Sequence, residues 1–182
     1  MVEPKYQTFW PRLWAAIIDA LVFSFSLGVV NSFVYEDSVP IVLRSIWYVV
    51  SAFSFVAYVV FMHARCGQTI GKMATGIKVL DLSESKLSAW QALLRESVSI
   101  VLITGEVICG LTSVLAGEDP ARTKQVEIEL LLSAAATSGW VAAELLTMLS
   151  NSKRRSIHDF IARSVVVRDV PNSRRLPDKL EL

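Results

Sequence analysis

Three acidic residues, Asp19, Glu106 and Glu144, fall inside long apolar runs, and two basic residues, Arg12 and Arg95, stand at the borders of such runs. A carboxylate surrounded by hydrocarbon has to be neutralised, paired or hydrated, since an isolated charge there is costly. This set of residues supports two kinds of chemistry. Carboxylates inside a membrane can bind a cation or relay protons. Alternatively, Asp19 pairs with Arg12 or Arg95 and fixes helix register, while the glutamates stay protonated. Pairing is the stronger reading for Asp19, which shares an i, i+7 helix stripe with Arg12. Ion binding is the stronger reading for Glu106, because no basic residue lies at its depth.

The elements that carry these residues follow from composition and periodicity. The 182-residue chain is 53% hydrophobic with mean hydropathy +0.47. Soluble domains average about 45–50% apolar even when glycine is counted, so the pattern predicts an integral membrane protein. About 20 apolar residues cross a roughly 30 Å hydrocarbon core as a helix. Four stretches qualify, at about 13–34, 45–62, 97–116 and 130–149, the second of them at the lower limit of length. Trp10 and Trp14 fall where an interfacial aromatic belt would lie. Lysine and arginine placement gives the orientation. With both termini cytoplasmic, only Arg44, Arg122 and Lys124 of the 18 basic residues face outward, as the positive-inside rule requires.

The predicted fold class is thus all-α, with four transmembrane helices and short cytoplasmic amphipathic and strand-like segments. Residues 1–170 form one membrane domain, and 171–182 form a charged, proline-punctuated tail expected to be disordered. At 1.5 Å per residue, Asp19 and Glu144 lie roughly 8–11 Å inside the inner boundary. They are expected to cluster there with Arg12 and Arg95, with Glu106 deeper. Small and polar residues flank the two glutamates: Ser99, Cys109, Gly110 and Ser113 for Glu106, and Ser133, Thr137, Thr147 and Asn151 for Glu144. Such stripes suit close helix packing.

The cytoplasmic loop 63–95 is punctuated by Gly67, Gly71 and Gly76, and Lys72 follows the second of them. Residues 77–82 alternate loosely enough for a short strand. Ser88 with Gln91 three residues on predicts a helix N-terminus. After the basic run Lys153-Arg154-Arg155, which suits anionic lipid headgroups, residues 156–163 suggest an amphipathic helix and 164–168 a strand. The loop and this terminal segment are expected to pack against each other.

Several activities lack support in the residues. Gly67-Gln-Thr-Ile-Gly71-Lys72 is one residue short of a phosphate loop, and Met73 stands where Ser or Thr is required. His158-Asp159 is only superficially a metal or acid–base pair, and the one other histidine is His63, so no metal or other cofactor is expected. Cys66 and Cys109 form neither a C-x-x-C pair nor a disulfide framework. No nucleophile constellation or nucleic-acid module is present, so the chain is read as a non-enzyme. The N-terminal run is too long for a signal peptide and lacks a cleavage site.

Three blocks of the chain resemble the RDD family of membrane proteins. They are Arg12-x-x-Ala15-x-x-x-Asp19; Gly67-Gln-Thr-Ile-Gly71-Lys72-x-x-x-Gly76-Ile-Lys-Val-Leu-Asp81 followed by Leu93-Leu94-Arg95; and Arg155-Ser-Ile-His158-Asp159 with the segment after it. The resemblance runs from residue 12 to 167. It maps the family's arginine and first aspartate to Arg12 and Asp19, and its second aspartate to Asp159 in preference to Asp81. Two departures stand out: Leu82-Ser-Glu-Ser lacks the glycine turn that often follows the Asp81 position, and Arg163-Ser164 replaces a more usual Gly-Thr. The resemblance implies a small multi-span protein of a bacterial inner membrane. Its expected role is a transporter, coupled to a monovalent cation or protons and acting as a homo-oligomer. The alternative is a non-catalytic accessory subunit of a larger membrane protein complex.

Overall fold

The computed structural model describes residues 3–36, 38–115 and 124–169. The break expected at 117–120 and the tail 171–182 lie outside the described residues, as do the side chains of Ser113 and Ser133. A 3-10 turn, Pro4–Tyr6, leads into α1 (Phe9–Val34) and then α2 (Ile41–Cys66). The connection to the next long helix holds α3 (Ile70–Ala74), β1 (Ile77–Asp81) and α4 (Ala89–Arg95). Then come α5 (Ser97–Leu115), α6 (Lys124–Ser150), α7 (Ile157–Ile161) and β2 (Ser164–Arg168).

The protein is mostly helical, and α1 and α2 are long and apolar enough to cross a membrane, whereas α5 carries a shorter apolar stretch, Ser97–Thr112. The second helix corrects the expected 45–62 boundaries, since it has 26 residues rather than a marginal 18. Pro40 precedes it as the N-cap, where a missing N–H does no harm. Gly67 ends it in the left-handed region at φ 71°, with its N–H bonded to the His63 carbonyl at 3.0 Å. A Cβ at Gly67 would fall 2.9 Å from the Val79 carbonyl oxygen, so the close return of β1 also requires glycine. Large apolar side chains stand exposed along α1, among them Leu21, Phe25, Val29 and Phe33. A face of that size is what lipid would cover.

The two strand-like segments do pair, antiparallel, from Ile77 opposite Arg168 to Asp81 opposite Ser164. Ser88 caps α4 with the expected reciprocal bonds to Gln91. The best-buried core lies in this cap, not between the long helices. Ile77, Val79, Leu87, Ala92 and Val166 pack there with Ala15 of α1, and Val60 and Ala64 of α2 close against them. Further along the helices, Asn31 of α1 accepts from the Trp47 indole N–H of α2 at 2.8 Å. Phe23, Phe55 and Tyr58 pack ring to ring between the same two helices.

Candidate functional site

The polar residues of the cap form two sites, each centred on one aspartate. In the first, α7 carries Asp159 fully buried, and its backbone position is fixed by the Ser156 N–H, which donates to Asp159 Oδ2 at 3.1 Å. Arg12 Nη1, from the start of α1, reaches that same oxygen at 2.6 Å. Arg95 Nη1, from the end of α4, reaches Oδ1 at 2.5 Å and also donates to Ser164 Oγ at 3.0 Å. The hydroxyls of Ser156 and Ser164 each donate to Asp159 at 3.1 Å. Burial pushes the Asp159 carboxyl up, but Arg12 and Arg95 outweigh it and hold the group well below the usual carboxylate range.

The chain of contacts continues outward. Arg95 Nη2 lies 2.6 Å from His158 Nε2 and acts as donor, which leaves the imidazole hydrogen on Nδ1. That nitrogen is 2.6 Å from Glu144 Oε2 on α6, and the His158 backbone N–H donates to Glu144 Oε1 at 3.0 Å. Charges therefore alternate along Glu144, Arg95, Asp159 and Arg12, with His158 as the bridge between the first two. Arg155 adds bonds to the Ser164 and Asp159 carbonyls at 3.0 and 3.1 Å and lies over the Phe160 ring. This lock joins α1, α4, α6, α7 and β2.

The second site is built without a cation in direct contact. Asp19, only 5% exposed, accepts from Tyr58 Oη at 3.1 Å, Thr69 Oγ1 at 2.5 Å and the Gly71 N–H at 2.8 Å. The opening N–H groups of a helix have no intrahelical acceptor, and each of those in α3 has one here. Ile70 N–H donates to Tyr58 Oη at 2.9 Å, Gly71 N–H to Asp19, and Lys72 N–H to Thr69 Oγ1 at 3.4 Å. Such complete capping is what a helix start packed into protein needs. Gly71 is required by contact, because a Cβ there would fall 2.1 Å from the Ala15 carbonyl oxygen. Beyond it, Lys72 Nζ stands 2.9 Å from Nε2 of the fully buried His63. Burial brings the Lys72 ammonium down to about 8.

Of the expected cluster, the structure brings together Arg12, Arg95 and, through His158, Glu144. Asp19 is a correction: it pairs with neither arginine, and Asp159 takes that place. The physical reason is direction. Helical side chains lean toward the N-terminus, so Arg12 reaches away from Asp19 toward the cap. Glu106 is exposed on α5 and stays outside both sites. Nearby, its carbonyl accepts from Tyr48 Oη at 3.3 Å, and a Cβ on Gly110 would fall 2.6 Å from that hydroxyl oxygen. The small residue at 110 thus does serve close helix packing. Asp81 organises the turn after β1, accepting from Gln91 at 2.7 Å and Ser83 Oγ at 2.9 Å, which hold its carboxyl down at about 2. Gly76 adopts φ 63° before β1.

Residue-by-residue reasoning missed Tyr58, Thr69, Ser156 and Ser164. The Ser156-x-x-Asp159 spacing is a capping-box signature and could have marked two of the lock's members. A family model described as the RDD family matches residues 6–163. No curated protein matches the chain.

Proposed function

The chain belongs to the RDD family of membrane proteins, and on that premise we propose that it is a non-catalytic accessory subunit of a larger membrane protein complex. The observation that carries this reading is the saturation of both aspartates. A cation site needs several oxygen ligands free to turn toward the ion. Here Asp19 takes three protein donors. Asp159 takes two guanidinium groups, two hydroxyls and one backbone N–H. Both carboxylates are spent on holding the cap to the ends of α1 and α2, which suits a rigid docking platform better than an ion path.

The proposal includes four crossings in a bacterial inner membrane, with both termini cytoplasmic. Its support is that the cap draws on three parts of the chain: the N-terminal turn, the α2–α5 connection and the segment after α6. Their meeting on one side favours an even number of crossings between them. At 1.5 Å per residue, the 19 residues of α5 measure roughly 28 Å, close to the hydrocarbon thickness.

Native mass spectrometry of the protein, extracted from its own membrane in mild detergent, tests the reading. The expected result is a stoichiometric complex with a different, larger membrane protein. A homo-oligomer alone that also carries cation flux in proteoliposomes would overturn it and restore the transport expectation.

A further inference from the structure

On the other flank of the cap, a pocket of about 340 Å³ opens between the end of α2 and the β1 turn. Its lining includes Arg65, Lys78, Lys86 and Glu84. The glutamate is already engaged, since its Oε1 accepts from Lys5 Nζ at 2.7 Å and from Tyr6 Oη at 3.0 Å. The three cations make no hydrogen bond or ion pair at their charged groups among the described residues. A concave site of this volume is within the range that holds small ligands, and the ligand it fits is an anion.

Position narrows the anion's chemistry. Phe61 of α2 is 64% exposed, and Arg65 follows it by one turn on the same helix face. In a membrane protein whose α2 is apolar enough to span, that face meets lipid at Phe61. Arg65 then stands where the hydrocarbon gives way to headgroups, and basic residues there attract anionic lipids.

We propose that the pocket formed by Arg65, Lys78 and Lys86 binds a phosphate group, carried by an anionic phospholipid headgroup or by a soluble phosphate. Lys78 holds it from β1, Lys86 from the end of the turn that follows, and Arg65 from the end of α2. The proposal stands independently of the accessory reading.

The test is a native mass-spectrometric titration of the delipidated full-length protein with phosphatidylglycerol in detergent, with inorganic phosphate as competitor. Wild type is expected to retain one lipid equivalent. In Lys78→Gln/Lys86→Gln the apparent affinity falls about 25-fold, at about fivefold for each cation removed near an anionic surface. Arg65→Gln, at an exposed site away from the core, gives about fivefold and guards against a folding defect in the double variant. Arg44→Gln removes one positive charge near the other end of α2, outside the pocket, and leaves binding unchanged. Displacement by millimolar phosphate assigns the site to a soluble phosphate, and resistance to it assigns the site to the headgroup. Equal binding by wild type and all pocket variants overturns the proposal, as does an equal loss in Arg44→Gln.

Discussion

Asp159 and Asp19 are both buried carboxylates, and they are stabilised in different ways. Asp159 lies between two arginines, and each of those arginines was brought from a distant part of the chain. Asp19 has only neutral donors in contact, two hydroxyls and an amide, and all of them belong to α2 or to α3 and the residue that caps it. The first arrangement satisfies three charges at once, so losing one strands the others. The second satisfies a helix end, so its loss releases a few amides and hydroxyls. The difference teaches that a buried charge in this family member can be satisfied as a joint between elements either by countercharges or by neutral donors.

Breaking the comparison at its stronger side has the largest expected effect. Asp159→Asn leaves Arg12 and Arg95 buried without a countercharge and should cost about 3–5 kcal/mol, read as a lower unfolding midpoint in mixed micelles. Gly71→Ala drives a methyl into the Ala15 carbonyl and should cost about 1–3 kcal/mol, with increased proteolysis between α2 and β1 as a second readout. Asp19→Asn keeps one acceptor oxygen while its amide meets donors, for a loss of about 1–2 kcal/mol in the same assay. If Asp19→Asn proves as damaging as Asp159→Asn, the distinction between the two sites is wrong.

The pH dependence sharpens the contrast further. Lys72, beside the Asp19 site, has its folded value lowered to about 8 from an ordinary 10.5. Between those two values the unfolded chain binds more protons than the folded one, so stability rises with pH across that window. Lys72→Met should flatten this slope in denaturation curves measured at pH 8 and 10.5.

The smallest expected effect is a gain. Arg163 has φ 50°, in the left-handed region that favours glycine. Arg163→Gly should raise stability by about 0.4–1 kcal/mol, with β2 unchanged. The other departure from the family pattern, the Leu82–Ser85 turn, also holds a strained residue, Glu84 at φ 61°. There the side chain is used, because it ties Lys5 and Tyr6 to the turn. Both missing glycines therefore mark positions whose backbone still takes the glycine conformation.

What could be read from the chain beforehand follows the range of the interactions. The long helices come from local apolar runs, the α4 cap from a four-residue signature, and the two strands, though not their pairing, from one loosely alternating segment and one valine run. Contacts across more than a hundred residues leave no such pattern. Arg12 and Asp159 are 147 positions apart, and the i, i+7 spacing from Arg12 to Asp19 pointed to the nearer, wrong partner. Tyr58 and Thr69 were illegible for another reason: a tyrosine in an apolar helix and a threonine in a glycine-punctuated loop are common, and only the fold sets them around one carboxylate.

The most direct test of the central claim is hydrogen exchange at the Gly71 and Ser156 amides of the protein in nanodiscs, with sodium present and then replaced by a large organic cation. Both amides donate to the aspartates. If the carboxylates are structural joints, their protection is the same in both media. Protection that changes with sodium at either amide would contradict the account and return that aspartate to an ion path.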